Sequence, residues 1–68
     1  MNDQIKVAKN KLDKILIWYV DNKDNIKFNP TFIYKLNDQY SKSNYFTEKQ
    51  IKAISNIYLN YHIKNYFI

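Results

Sequence analysis

With 68 residues, no cysteine and a net charge of +5, the chain is bounded before any motif is considered. A domain of this length buries only about 60% of the surface that its unfolded chain exposes, so a two-domain enzyme is excluded. Without cysteine there is neither a disulfide framework nor a thiolate zinc site. Because 46% of the residues are hydrophobic and 18% aromatic, we expect one folded domain over residues 1–68, held together by side-chain packing.

All eleven basic residues are lysines, against six acidic residues. The positive charge favours anionic partners, but lysine lacks the planar guanidinium that grips phosphates and guanines with two hydrogen bonds. Isoleucine, asparagine, lysine and tyrosine together fill 38 of the 68 positions, and all four have A- and T-rich codons. We therefore infer an AT-rich source genome, whose codon usage explains the lysine content equally well.

No targeting or membrane segment is expected. The longest uninterrupted apolar run covers the six residues 15–20, whereas a membrane-spanning helix needs about 20. A secretory signal would need a longer apolar core and a cleavage site of small residues. The sequence predicts a cytoplasmic protein, located in the host cell if a phage encodes it, with no membrane partner.

The first helix is predicted over about residues 3–21. Apolar residues recur there at steps of three and four, which places them on one side of a helix. The predicted buried stripe comprises Ile5, Ala8, Leu12, Ile15, Leu16, Tyr19 and Val20. The polar residues that follow, up to Phe28, read as a connecting loop.

A second helix is predicted over about residues 30–41. Asn29 can cap it, and Pro30 suits a first helical position because its missing N–H group needs no partner there. The predicted buried stripe comprises Phe32, Ile33, Leu36 and Tyr40.

The third helix is predicted over about residues 48–66. Thr47 and Gln50 have the spacing of a capping box, and Phe46 before the cap can pack on Ile51. The predicted buried stripe comprises Ile51, Ile54, Ile57, Tyr58 and Tyr61. Beyond Leu59 the polar side is lost, so we expect residues 63–68 either to dock on the first helix or to mediate a homodimer. The fold class is all-α, a small three-helix bundle.

Residues 28–61 carry one resemblance. Phe32, Leu36 and Tyr40 are followed by a short polar loop and by Phe46-Thr47-Glu48-Lys49-Gln50. This segment resembles a two-helix module with a Ser/Thr-Glu-Lys-Gln opening in phage- and plasmid-borne accessory proteins. The resemblance implies a mobile-element context and brings no catalytic residue with it.

No arrangement of residues points to catalysis. His62 is the single histidine, and the nearest acid in sequence is Glu48, fourteen positions away, so a general base lacks a partner. The loop at 21–25 has the acids but not the glycine and terminal glutamate of a calcium loop. A phosphate-binding loop needs glycine, which the chain does not contain. We predict a protein that is not an enzyme and takes no metal or cofactor.

Binding is therefore the expected function, and the first helix offers a surface for it. Lys11, Lys14 and Trp18 follow Val7 at spacings of four, three and four, turned away from the main stripe. Tryptophan among lysines suits a protein interface, although Trp18 could equally be a core residue beneath the C-terminal segment. Tyr34, opposite the buried stripe of the second helix, is a further partner-binding candidate. We predict a small basic accessory or inhibitor protein that binds a host protein or nucleoprotein complex, for example a defence nuclease.

Direct nucleic-acid binding is the alternative. Lysines on the first and third helices could contact phosphates while tyrosine or tryptophan stacks on unpaired bases, and in a helix-turn-helix arrangement the third helix would be the recognition helix. The candidate residues are Lys6, Lys9, Lys49, Lys52, Asn56 and Asn60. The absence of arginine and the acids interspersed on the first helix favour a protein partner.

Overall fold

The computed structural model describes residues 2–67 and is built from helices. They are α1 (Asn2–Asn22), α2 (Thr31–Ser43), α3 (Glu48–Asn60) and the short α4 (Ile63–Tyr66). No strand occurs among these residues, and the three long helices form a small bundle, so the predicted all-α fold class is confirmed. None of the helices in the described range is long and apolar enough to cross a membrane.

α1 is the central helix, and the other three all pack against it. Lys11 of α1 contacts Ser55 of α3, and Trp18, further along α1, contacts Tyr61, further along the chain from Ser55. Because both partners advance in the same direction, α1 and α3 run parallel. α2 runs antiparallel to α1, because Lys9 bonds to Asn37 whereas Tyr19 contacts the earlier Tyr34.

The core lies where α1 meets the other helices. Its buried members come from every helix and from the turn before α3. They are Ala8, Leu12, Ile15, Trp18, Ile33, Leu36, Phe46, Ile54, Tyr58 and Ile63. No polar or charged residue is buried in the part of the chain with described side chains, so the fold rests on apolar packing.

Three residues predicted for the buried stripes are exposed instead. Val20 is exposed because it lies at the edge of the arc that α1 turns toward the core. Phe32 is exposed because successive helical residues are rotated by about 100°, and Ile33 takes the inward position. Tyr61 is the C-cap residue after α3, and its ring packs on Trp18 from the outside of the core.

The predicted capping box of α3 is confirmed, whereas the cap of α2 lies one residue later than predicted. Pro30 is the N-cap and α2 begins at Thr31, because the Pro30 carbonyl accepts the first helical hydrogen bond, from the Tyr34 amide at 3.0 Å. The Asn29 side chain, one residue before the cap, accepts a hydrogen bond from the Thr31 amide at 3.0 Å. At α3, Thr47 Oγ1 accepts from the Gln50 amide at 3.2 Å while Gln50 Oε1 accepts from the Thr47 amide at 2.9 Å. Each helix start thus has a side-chain acceptor for an otherwise unpaired amide.

The prediction of one continuous helix over residues 48–66 is wrong. α3 ends at Asn60, and His62 adopts a left-handed conformation with φ of 54° before α4 begins. A straight helix could not bury the apolar residues beyond this point, because they no longer share one side. The reversal at His62 lets α4 turn back toward α1, and Ile63 is fully buried as a result.

Candidate partner-binding face

Three lysines of α1 rest on aromatic rings, each on a different neighbouring segment. Lys9 Nζ lies 5.3 Å from the Tyr40 ring centroid, Lys11 Nζ 5.7 Å from Tyr58 and Lys14 Nζ 5.9 Å from Phe67. Such cation–π contacts contribute about 0.5–1 kcal/mol at exposed sites. The α1 lysines therefore help to hold α2, α3 and the C-terminal segment in place.

The predicted partner-binding residues Lys11 and Lys14 lie side by side on α1 but differ in their other contacts. Both are half-buried. The Lys11 ammonium also donates to Ser55 Oγ at 3.2 Å, whereas Lys14 makes no hydrogen bond or ion pair to residues 3–67. Lys14 thus keeps its N–H donors for water or for a partner.

Trp18 does not belong to an exposed face. Its side chain is 7% exposed and lies in the core. Its ring centroid lies 5.6 Å from that of Phe28 and 5.3 Å from that of Tyr61. The prediction that Trp18 contacts a partner is wrong, and the alternative that it is a core residue is correct. The rings that cover Trp18 are those of Phe28 and Tyr61, whereas the sequence predicted that the C-terminal segment would cover it.

The C-terminal segment docks on α1, which is one of the two outcomes expected for it. Ile63 anchors α4 in the core, and Tyr66 Oη donates to Asp21 Oδ2 at 2.5 Å. This hydrogen bond, aided by desolvation and by the charge of Asp21, raises the pKa of Tyr66. Tyr66 and Phe67 form an edge-to-face pair, yet both remain partly exposed. Ile68, included in the sequence prediction, lies outside the described residues.

A groove of about 450 Å³ lies between the N-terminal halves of α1 and α3, and we call it the α1–α3 groove. Its lining comprises Asp3, Gln4, Val7, Ala8, Lys11, Glu48, Ile51, Lys52 and Ser55. Val7 is 52% exposed there, so an apolar side chain borders open space between charged neighbours.

Together these features form one surface, which we call the lysine face. It consists of Val7, Lys11, Lys14, Tyr66 and Phe67. The α1–α3 groove forms one end, the exposed aromatic pair forms the other, and the two lysines lie between them. Aromatic anchors beside oriented charges are typical of surfaces that recognise proteins.

Tyr34 lies elsewhere. It is exposed, as predicted, and its ring meets Tyr19 edge-to-face at a centroid distance of 6.5 Å. This contact places Tyr34 on the α2 side of α1. The structure therefore does not bring Tyr34 together with Lys11 and Lys14.

The residues of the nucleic-acid alternative form two separate groups. Lys6 and Lys9 lie along the contact between α1 and α2, where Lys9 is paired with Asp13 at 2.6 Å and donates to Asn37. The other group is exposed along the outer side of α3. It comprises Lys49, Lys52, Asn56 and Asn60.

Phe28 packs against the core, which its position in a predicted polar loop does not indicate. Its ring joins those of Trp18, Tyr19 and Tyr61, at centroid distances of 5.6, 5.9 and 5.1 Å. The loop after α1 is thereby fixed to the core at the end where α1 and α3 finish. The available signal was a pair of large apolar residues, Ile26 and Phe28, in an otherwise polar loop.

Within the described part of the chain, no three histidine, aspartate or glutamate side chains lie close enough to hold a metal ion. Comparison with protein-family models, curated proteins and solved structures finds no match to the chain. The two-helix resemblance of residues 28–61 therefore stays an interpretation of the sequence.

Proposed function

We propose that the protein is a non-enzymatic binding protein that attaches to a host protein or nucleoprotein complex through the lysine face. The observation that carries the proposal is the position of Lys14. Its ammonium is held over the Phe67 ring at 5.9 Å and has no hydrogen-bonding partner in residues 3–67. A charge that is already oriented beside exposed aromatic rings loses little freedom when a carboxylate binds it.

The resemblance of residues 28–61 suggests the biological setting. It supports an accessory or inhibitor protein of a phage or plasmid, acting in the host cytoplasm. A protein this small can act by covering a site on a larger assembly, for example on a defence nuclease, because a contact of about 800 Å² per partner is enough for a stable complex.

The distribution of charge favours a protein partner over nucleic acid. Each of the four helices carries a net charge of +1, as does the loop between α1 and α2. Nucleic-acid binding draws its strength from several cations that act on one phosphate backbone. Here the positive charge is spread over the molecule, so recognition would depend on shape and on a few oriented groups.

The test is affinity capture from lysate of the source cell, with captured proteins quantified for the wild type and for Lys14→Glu. We expect Lys14→Glu to lower capture of the specific partner at least about tenfold, since a like charge at an interface is repulsive. The matched control is Lys35→Glu, which makes the same charge change at an exposed position of α2. If both variants capture the same proteins as the wild type, the lysine face is not the binding surface.

Nucleic-acid binding is the second candidate, favoured by the outer side of α3. Lys49 and Lys52 are exposed there together with Asn56 and Asn60, as a recognition helix would need. Against it, α2 and α3 pack more on α1 than on each other, unlike the paired helices of a helix-turn-helix.

A titration of a random oligonucleotide at two salt concentrations tests this candidate. Binding through phosphates must weaken steeply with salt, and Lys49→Ala should reduce the salt dependence whereas Lys42→Ala on α2 should not. If no binding is detected at low salt, direct nucleic-acid binding is excluded.

A further inference from the structure

The C-terminal segment contacts only half of one side of α1. Asp3, Val7, Lys14 and Asp21 follow at spacings of four and seven residues, which places them on the same side. The last two contact the C-terminal segment, because Tyr66 donates to Asp21 and Lys14 lies over the Phe67 ring. The first two line the α1–α3 groove, and both are exposed. The open stretch from Asp3 to Lys11 is about 12 Å long, or roughly two helical turns.

The open half of the groove has charge of opposite sign at its two ends. Asp3 and Glu48 lie in the first turns of α1 and α3, and because these helices run parallel both acids lie at the same end. Lys52 lies one turn further along α3 and Lys11 two turns further along α1. An occupant must therefore offer positive charge at one end, negative charge at the other and an apolar group for Val7 in between.

We propose that the α1–α3 groove binds a short amphipathic helix of the partner protein, two to three turns long and antiparallel to α1. Its apolar side rests on Val7, its acidic first turn lies beside Lys11 and Lys52, and its basic last turn lies beside Asp3 and Glu48. This inference rests on the proposed function, since it names the element of the partner that the lysine face receives.

The antiparallel direction follows from helix electrostatics. Acidic residues stabilise the first turn of a helix and basic residues the last turn, so this charge order is the one that helices favour. Only an antiparallel helix of that order matches the groove. A parallel one would bring its acidic turn against Asp3 and Glu48. Antiparallel packing also opposes the dipoles of the added helix and of α1.

The experiment uses two stapled peptides of about 14 residues, both with a leucine stripe. One has glutamates in its first turn and lysines in its last, and the other has these charges exchanged. The staple on the outer side keeps both helical, so the comparison concerns binding alone. By fluorescence anisotropy, we expect the acid-first peptide to bind at least about tenfold more tightly. Lys52→Glu should weaken its binding and strengthen that of the exchanged peptide, as a direct charge contact requires.

A matched pair of variants locates the binding site. Val7 and Ile17 are exposed β-branched residues of α1, at 52% and 51%, but Ile17 lies outside the groove. Val7→Glu should abolish binding of the acid-first peptide, and Ile17→Glu should leave it unchanged. Lys52 is exposed, so its variant keeps the test decisive even if Val7→Glu fails to fold.

Equal affinity for the two peptides, no binding of either, or equal effects of Val7→Glu and Ile17→Glu would overturn the inference. A concentration-dependent mass of the wild type that Val7→Glu abolishes would also overturn it, because a second copy of this chain would then be the occupant. These failures differ from failure of the proposed function. A lysate partner that is lost with Lys14→Glu but retained with Lys52→Glu leaves the lysine face intact and refutes only the groove, because Lys52 lines the groove and does not belong to the lysine face.

Discussion

Trp18→Ala should remove a large part of the stability of the fold. The Trp18 side chain is 7% exposed and packs between the rings of Phe28 and Tyr61. Burial of an aromatic side chain removes about 150–250 Å² from water, worth about 4–6 kcal/mol at about 25 cal/mol per Å². Each aromatic pair adds about 0.5–1.5 kcal/mol. Since part of a cavity closes by relaxation, we expect a loss of about 3–5 kcal/mol.

That loss must be compared with the total free energy of unfolding of the protein. At about 0.05–0.15 kcal/mol per residue, a chain of 68 residues has a free energy of unfolding of about 3–10 kcal/mol. Trp18→Ala should therefore lose between roughly a third and all of this free energy, and at the lower end of the range the variant is unfolded without denaturant. Urea unfolding followed by circular dichroism is the suitable assay, because Trp18 is the only tryptophan and the variant has no indole fluorescence.

The control is Tyr45→Ala, which truncates an aromatic side chain that is 53% exposed. A surface change of this kind alters stability by about 0.5 kcal/mol or less. If Trp18→Ala unfolds at the same urea concentration as the wild type, the placement of Trp18 in the core is refuted. If Tyr45→Ala is equally damaging, aromatic truncation in general, rather than burial, explains the effect.

Three further outcomes are expected. Thr47→Ala should cost about 1 kcal/mol in urea unfolding, because the Gln50 amide at the start of α3 loses its acceptor; an unchanged midpoint contradicts this. Ile63→Ala should cost about 2–5 kcal/mol by loss of buried volume, and a cost below 1 kcal/mol would mean that α4 does not anchor in the core. The hydrogen bond that Tyr66 donates to Asp21 raises the pKa of Tyr66 above its ordinary 10.0. The stability contributed by this hydrogen bond is therefore fully present below about pH 10, and it is lost as the pH rises through the raised pKa. Urea midpoints measured below and above about pH 10 should therefore fall more steeply for the wild type than for Tyr66→Phe, and parallel slopes refute the linkage.

Features encoded by neighbouring residues could be predicted from the sequence. The capping box at Thr47 needs only residues three apart, and it fixes the start of α3. The Asn29-Pro30 pair placed the start of α2 within one residue of Thr31, where the helix begins. The apolar period of α1 likewise depends on local spacing, and it shows which side of α1 is buried.

Features that depend on distant parts of the chain could not be predicted. The turn at His62 ends a segment that has no glycine or proline to mark it, and it forms because Ile63 gains burial against α1. Trp18 lies outside the main apolar stripe by helical spacing, yet Phe28 and Tyr61 cover it. In both cases tertiary packing decides a conformation that local preference leaves open.

In the candidate site, too, local spacing predicts some features and distant parts of the chain determine the others. Spacing correctly placed Lys11 and Lys14 next to each other on α1, but it could not reveal that their ammonium groups rest on aromatic rings. Those rings belong to Tyr58 and Phe67, more than forty residues further along the chain. The spacing of residues along one helix shows which side chains lie on the same side of that helix. Only the complete fold shows which residues pack against that side.

The ring beneath Lys14 changes what this lysine can do. A free lysine side chain carries about 2 kcal/mol of rotamer entropy, much of which is lost when its ammonium is fixed by a partner. Over Phe67 the side chain is already restricted, and the ring occupies only one side of the ammonium, so its N–H groups can still reach a carboxylate. A partner therefore gains the charge contact without first ordering the side chain. Exposed lysines such as Lys35 offer the same charge at a greater entropic cost, which is why a net charge spread evenly over the surface is compatible with recognition at one place.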